Sequence, residues 1–138
     1  MRKELENILF DHLKTSLPAG LKTMLVKGHS TDDRHIPYIS IDVGEIKPFG
    51  DMLETDGIFE AEVNVAIADS AHDIEYKNLF PRISEVRAIL GRFALENEKY
   101  LCEGLWFISE TDARDDNNIG VILTYRVVFQ QFQFLLEC

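Results

Sequence analysis

Cysteine and long apolar runs are both scarce in this chain. Cys102 and Cys138 are its only cysteines among 138 residues, and no CxxC pair occurs. That count argues against a disulfide framework and against a cysteine-based zinc site. No apolar run approaches the roughly 18 residues of a membrane-spanning helix. The segment 1–17 interleaves charged and apolar residues and lacks the apolar core of a signal peptide. We therefore expect a soluble, cytoplasmic protein with no membrane partner.

Basic residues are also few. The chain has 14 lysines and arginines against 24 aspartates and glutamates, a formal net charge of -10. A protein that grips nucleic acid needs a basic surface to neutralise phosphates, so the composition argues against that function. DNA could still pass along an acidic channel, whose walls would repel it. The alternative is that the charge only keeps an ordinary domain soluble.

Catalytic signatures are missing as well. The sequence has no GxSxG, no glycine-rich phosphate loop, and no cysteine placed with a histidine and an orienting acid. One weak metal candidate exists. His29, Asp32, Asp33 and His35 could ligate a divalent cation, although such residues are also common in solvated loops. We expect no enzyme activity, no cofactor and no bound metal, and a metal-dependent enzyme using these four residues is the alternative.

Two helices are predicted from apolar spacing. Residues 2–17 place leucines and an isoleucine on one stripe, and Pro18-Ala19-Gly20 ends that helix. His12 lies beside the stripe, which favours a half-buried packing role. Residues 73–96 form the second helix, where Pro81 predicts a kink or a fresh start near Leu79-Phe80 because proline lacks the backbone N–H of a helical hydrogen bond.

Strand patterns fill most of the remaining chain. They cover residues 23–26, 36–43, 59–67, 105–111 and 119–129, with the clearest alternation in 59–67. Together with the two helices, this order favours an α+β fold. We expect a two-layer domain, with a mainly antiparallel sheet of four to five strands and two helices packed on one face. A single domain over 1–138 is predicted, since a chain of this length can bury about two-thirds of its surface.

Two connections between predicted strands contain candidate functional residues. Residues 45–57 hold Phe49, Met52 and Leu53 with neither a helical nor a strand period. We therefore expect 47–56 to be mobile in an isolated subunit and ordered once these side chains contact a partner. The connection before the last strand is an acidic hairpin loop that lacks the ligand pattern of an EF-hand. Its acids are Asp112, Asp115 and Asp116.

The longest strand pattern lies near the C-terminus, over residues 119–135. Odd positions from Ile119 to Phe129 are apolar, but the pattern reverses after the two glutamines at 130 and 131. At about 3.3 Å per residue the segment would span roughly 56 Å, against about 37 Å for a compact domain of this size. We expect it to leave its own domain and contact a neighbouring subunit, and a bulge at the glutamines is the alternative. The predicted oligomer interface comprises Phe129, Gln130, Gln131, Phe132 and Phe134.

Four local segments, in their shared order, carry a resemblance to a known family. They are IPYISI at 36–41, FEAEVNV at 59–65, the proline-broken LFPRISEV at 79–86, and LTY at 123–125. With the order of elements, they make the chain similar to the tail terminator family of long-tailed bacteriophages. The chain departs from that pattern by continuing through 126–138. This extension would also fit a relative in a contractile-tail phage, a prophage or a tail-like bacteriocin.

The resemblance implies a structural function. Tail terminators are small acidic α+β proteins that form hexameric rings on the end of a finished tail tube, stop its growth and present a surface for the head. Implied partners are further copies of this chain, the tail tube protein and a head-completion or neck protein. The implied location is the host cytoplasm during assembly and then the virion tail. A head-tail connector or neck protein, and a small-ligand or protein-binding domain, are the alternatives.

The first testable prediction concerns Phe132 and Phe134. If they anchor an interface, each Phe→Ala change weakens assembly by about 1 to 3 kcal/mol and leaves the subunit folded. If a bulge instead turns them into their own core, the same changes destabilise the subunit by about 3 to 5 kcal/mol. Thermal unfolding and oligomer size, measured on both variants, separate these outcomes. Lost subunit stability with an unchanged oligomer would retire the interface interpretation.

Overall fold

The computed structural model describes residues 2–22, 24–27, 38–51, 53, 57–70, 79–114 and 118–132, which form three helices and one sheet of eight strands. The helices are α1 (Arg2–Ser16), α2 (Ala19–Lys22) and α3 (Leu79–Gly91). The strands are β1 (Leu25–Lys27), β2 (Tyr38–Val43), β3 (Lys47–Pro48), β4 (Ile58–Ser70), β5 (Leu95–Glu96), β6 (Tyr100–Cys102), β7 (Leu105–Arg114) and β8 (Asn118–Gln131).

Two long strands form the middle of the sheet. β4 and β8 pair antiparallel without interruption, from Ile58 opposite Gln130 to Ser70 opposite Asn118. The outer edge of β4 pairs with β2 and β3, and the outer edge of β8 pairs with β7 and β6. β1 adds to β2 in parallel, and β5 adds to β6. Each long strand is therefore held on both sides by shorter strands.

The hydrophobic core lies between one face of this sheet and the helices. Odd-numbered residues of β4 and β8 are buried on that face and form a single cluster with the apolar stripes of α1 and α3. The helical members are Leu5, Leu9, Leu13, Leu79, Ile83, Val86, Ile89 and Leu90. Burying each such side chain contributes about 1.5 to 3 kcal/mol. The α+β expectation is confirmed, but the sheet is larger than the four to five strands predicted.

The predicted helix over 2–17 is confirmed as α1, and its histidine packs as expected. Nε2 of the half-buried His12 lies 3.0 Å from the carbonyl oxygen of Ile89, so the ring donates to α3, and its edge contacts Phe93. The described part of the second helix runs from Leu79, with Pro81 as its third residue. The kink or fresh start near Leu79-Phe80 stays a prediction. Residues 71–78 lie outside the described part of the chain.

The second helix ends earlier than predicted, at Gly91 rather than at residue 96. Phe93 leaves the helix to enter the core, and Leu95–Glu96 becomes β5. The helix is also tied to the sheet by charge. Arg82 donates to Asp69 at the end of β4, and both side chains are largely buried. A charge-assisted bond of this kind fixes the start of α3 over the sheet.

The expectation that the C-terminal strand leaves its own domain is wrong through Gln131. β8 has β4 along its whole length on one side, and β7 and β6 on the other. The predicted overhang of the strand assumed a round domain. The sheet is elongated instead, because β4 is almost as long as β8. No bulge interrupts the pairing of β8 with β4 up to Gln130. Beyond the strand, the backbone N–H of Phe132 donates to the carbonyl of Lys99 at 2.8 Å.

The two highlighted connections also differ from expectation. Residues 47–56 do not lack structure throughout, since Lys47 and Pro48 pair with Glu60 and Phe59 of β4. A turn follows, in which Gly50 takes the positive φ of 55° that glycine tolerates best. Asp112 is not at a hairpin tip, because β7 continues through it opposite Val121 of β8. Met52, 54–56, Asp115 and Asp116 lie outside the described residues.

A small polar cluster joins α1 to β6. The hydroxyl of Tyr100 donates to Oε2 of Glu4 at 2.7 Å, and Nζ of Lys99 lies 3.5 Å from Oε1 of the same carboxylate. The hydrogen bond from Tyr100 lowers the pKa of Glu4. Burial, with the Glu4 contacts second, raises the pKa of Tyr100 from 10.0 to about 12.

This cluster gives a prediction about alkaline stability. A raised tyrosine pKa stabilises the fold fully below pH 10, and that stability is lost as pH rises from 10 to about 12. The change Tyr100→Phe should cost about 1 kcal/mol at neutral pH, because a bond to a partly exposed carboxylate is removed. The difference between wild type and variant should then shrink above pH 10. Urea unfolding across pH 8 to 12 measures it, and a constant difference across that range would contradict the assignment.

Candidate functional site

Among the described residues, nothing covers one part of the sheet on the side away from the helices. Even-numbered residues of β4 and β8 point to this side, together with Asp42 of β2 and with Trp106 and Ile108 of β7. We define the open face by these exposed and half-buried residues: Asp42, Glu60, Glu62, Asn64, Trp106, Ile108, Thr124, Arg126 and Val128. At the far end of the same side, Ser40 and Ala68 are buried.

Trp106 is the dominant side chain of the open face. It is 52% exposed, and the guanidinium of Arg126, its partner across the strands, lies 4.7 Å from the ring centroid. Ile108 is 56% exposed and follows at a register shift in the pairing of β7 with β8. A bulge of this kind re-aims side chains. Exposed tryptophan held by a stacked arginine is typical of protein interfaces, where both residue types are enriched.

Trp106 separates two depressions of different chemistry. One, of about 440 Å³, crosses β4 and β8 and is lined by charged side chains, among them Glu45, Lys47 and Glu62. The other, of about 600 Å³, is mainly apolar. Its lining includes Phe49, Ile58, Leu101, Leu105, Trp106 and Val128. The open face therefore offers an acidic region and an apolar region side by side.

Charges in the acidic region are only partly balanced. Nζ of Lys47 lies 3.7 Å from Glu60, and Arg2 lies 3.8 Å from Asp42. Within the part of the chain that the structure describes, Glu45 and Glu62 have no ion pair. Thr124 donates to Asn64 at 3.0 Å, which orients the amide between the two long strands. An excess of negative charge is left facing solvent.

A second distinctive surface lies on α3, whose C-terminal residue Gly91 also lines the apolar depression. We define the helix face by the exposed residues of α3 together with the residue that follows: Phe80, Pro81, Ser84, Arg87, Ala88, Gly91 and Arg92. Phe80 is 56% exposed. Arg87 stacks over Phe107 at 4.2 Å and lies 3.8 Å from Glu110. The only acid of α3, Glu85, is half-buried. This face is basic in a chain whose net charge is strongly negative.

The predicted interface residues are distributed between core and surface. Phe129 is 2% exposed and packs between Phe59 and Tyr100 inside the subunit. Gln130 and Phe132 are half-buried, and Gln130 lines the apolar depression. Phe134 lies outside the described residues. The structure therefore brings Gln130 to the apolar depression and Phe129 to the core, and whether any of them contacts a neighbour stays a prediction.

Gln131 has an unusual environment. Its side-chain oxygen Oε1 is buried without a hydrogen-bond partner among the described residues, although its backbone N–H donates to the carbonyl of Gly57 at 2.8 Å. A buried acceptor without a donor costs about 1 to 3 kcal/mol. The described residues give no reason for a polar side chain here.

Conventional chemical sites receive no support from the described residues. Among them, no three His, Cys, Asp or Glu side chains lie close enough to hold a metal ion. His29, Asp32, Asp33 and His35 lie outside those residues. Cys102 is buried, and burial raises the pKa of its thiol. Across the same described ranges, no helix combines the length and the hydropathy needed to cross a membrane.

Comparison with known proteins adds no family. No protein-family model matches the chain, and no curated protein matches it significantly. The open face and the helix face are therefore the features from which a function has to be argued.

Sequence reasoning did not select Trp106, Ile108 or Arg126, although a signal was present. In residues 105–108 both strand faces are apolar, with Trp106 and Ile108 on one face and Leu105 and Phe107 on the other. A strand that is apolar on both faces usually lies between two layers. The residues that the structure describes supply one such layer, on the side of the helices, which makes the second face a candidate for a partner.

Replacing Gln131 tests whether its side chain serves the subunit. We expect Gln131→Met to leave the free energy of unfolding unchanged or to raise it by up to about 1 kcal/mol, because the unpaired acceptor is removed. Gln130→Met is the matched control and should change stability by less than about 0.5 kcal/mol. Urea unfolding measures both. A loss above 1 kcal/mol for Gln131→Met would show that the amide stabilises the isolated fold.

Proposed function

We propose that this chain is a structural subunit of a phage or prophage tail that forms a homo-oligomeric ring on the tail tube. The ring caps the tube, ends its polymerisation and provides the surface that joins the head. The observation that carries the proposal is the open face, where the sole tryptophan and Ile108 are displayed on a sheet whose other face is packed against helices. Such a surface serves association better than catalysis.

Two features support this proposal. Exposed aromatic and aliphatic side chains between two depressions favour binding of a large surface, and in a ring the neighbouring copy of the chain provides such a surface. Independently, the four segments and the order of the elements resemble tail terminators. The architecture agrees with this resemblance at the level of an α+β domain with helices on one side of its sheet. By resemblance the ring is a hexamer.

The proposed partners follow from this role. Copies of the chain contact each other around the ring, the tail tube protein contacts one end, and a head-completion or neck protein contacts the other. DNA is a passing neighbour in the channel, since the net charge of -10 disfavours a grip on phosphates. We propose no cofactor, no metal and no enzymatic activity. Assembly would take place in the host cytoplasm, and the finished location would be the virion tail.

One alternative has an observation of its own. The apolar depression beside Trp106, about 600 Å³ in volume, has the size of a ligand pocket. A protein-binding or small-ligand domain, or a connector or neck protein at the head-tail junction, could use it. A monomer that binds neither itself nor tail tubes would favour the domain. Genes for a tail tube or tape-measure protein beside this one would favour a tail role.

The proposal predicts self-association reported by Trp106. Light scattering after size-exclusion chromatography, over a concentration series with and without tail tubes, should show a closed oligomer. Because Trp106 is the sole tryptophan, its emission should shift to shorter wavelength as assembly buries the ring. Trp106→Ala should weaken assembly by about 1 to 3 kcal/mol, with thermal unfolding little changed.

Trp106→Phe is the matched control, since it keeps an aromatic ring beneath Arg126 and should retain most of the association. A monomer at every concentration, with no ring on tail tubes, would reject the proposed function. If the oligomer size of Trp106→Ala is unchanged, the contact between subunits does not involve the open face.

A further inference from the structure

We infer that the open face of one subunit is covered by the helix face of the next copy, in a head-to-tail contact. This inference rests on the proposed self-assembly and specifies the two surfaces that meet. The occupant is thus a second copy of this chain, presenting α3. Rings require such heterologous contacts, in which the two partner surfaces differ.

Charge is the first argument. The open face carries Asp42, Glu60 and Glu62, with Glu45 at its rim, against Lys47, Arg126 and the Arg2 that pairs with Asp42, which leaves an excess of one acid. The helix face carries Arg87 and Arg92. Arg87 pairs with the exposed Glu110 of β7, so Arg92 is the charge of this face that has no ion pair among the described residues. Two open faces would repel each other, whereas an open face and a helix face attract.

Spacing is the second argument. Phe80 and Arg92 are twelve residues apart, which is about 18 Å on helical geometry, and Arg87 lies about 10 Å from Phe80. On the open face, Ile58 in the apolar depression and Glu62 in the acidic depression are four strand residues apart, about 13 Å. Phe80 and Arg87 lie on one stripe of α3, whereas Arg92 follows the end of the helix. If Phe80 enters the apolar depression, Arg87 therefore points toward the acids of the other depression.

Layer packing is the third argument. Helices normally cover one face of an antiparallel sheet, so an apolar side chain such as Trp106 on the other face needs a further layer to bury it, and the next copy would supply that layer here. A helix 13 residues long covers a strip of roughly 20 Å by 10 Å, so each contact is small. We therefore expect association of free subunits to be weak and to weaken further with salt.

The test uses two charge-reversed variants of the full chain. The helix-face variant is Ser84→Glu with Arg92→Glu. The sheet-face variant is Glu45→Lys with Glu62→Lys. None of these four side chains makes an ion pair within the described residues, so their replacement should spare the fold, and thermal unfolding checks this. The matched control pair, Lys22→Glu and Glu98→Lys, reverses exposed charges that lie on neither surface.

Sedimentation equilibrium at low and high salt measures association of each variant alone and of equal mixtures. Each interface variant alone should associate at least tenfold more weakly than wild type, because like charges then face each other. Mixing the two should restore association to within about threefold of wild type, since each contact then has opposite charges. The control pair should behave as wild type.

Several results would overturn the inference. One is wild-type association of the helix-face variant alone, which would indicate a sheet-to-sheet contact. A second is failure of the mixture to recover. A third is a wild-type subunit that is monomeric at every concentration. The proposed function is decided separately, by ring formation on tail tubes. If the mixture recovers but wild type forms open filaments, the contact is supported and the closed ring is rejected.

Discussion

The antiparallel ladder between β4 and β8 is the constraint on which the rest of the structure depends. Thirteen residue pairs set one register for both strands, so every odd residue of each strand faces the helices and every even residue faces away. If either strand slipped by one residue, its apolar side chains would face solvent and its polar and charged side chains would face the core. The short strands at either side then have little freedom, because they add to edges that this ladder has already aligned.

Two further interactions hold the helical layer in place over that ladder. His12 and Phe93 bring α1 against the end of α3, and the Asp69–Arg82 pair ties the start of α3 to the end of β4. The helices can therefore cover only one side of the sheet. The described residues are therefore asymmetric, with helices on one side of the sheet and the open face on the other.

Long periodic segments were predictable from sequence, and short paired segments were not. The helix at 2–17 and the strands at 59–67 and 119–129 each repeat their period several times. β3 and β5 contain two residues each, too few to show a period, and they exist because β4 and β6 present edges to pair with. The end of α3 was misplaced for a related reason, since the packing of Phe93 in the core overrides its helical spacing.

The candidate site shows the same limit. The glutamine pair at 130 and 131 was visible as a change of phase, but only the ladder shows that even positions look away from the helices. Trp106 was not predictable as a site residue, because aromatic residues are ordinary in strands. Its exposure depends on its position on the face of β7 turned away from α3, and the order of strands in the sheet cannot be read from local spacing.

Coverage of the sheet on one side only has a consequence for symmetry. No two-fold rotation can bring the helix face of one subunit onto the open face of the next while treating both subunits alike. An assembly built through that contact has a direction, and a closed ring of this kind has two unlike ends. Because its two ends differ, a ring made of one kind of polypeptide can bind a different partner at each end. No second protein is needed to make the ends different.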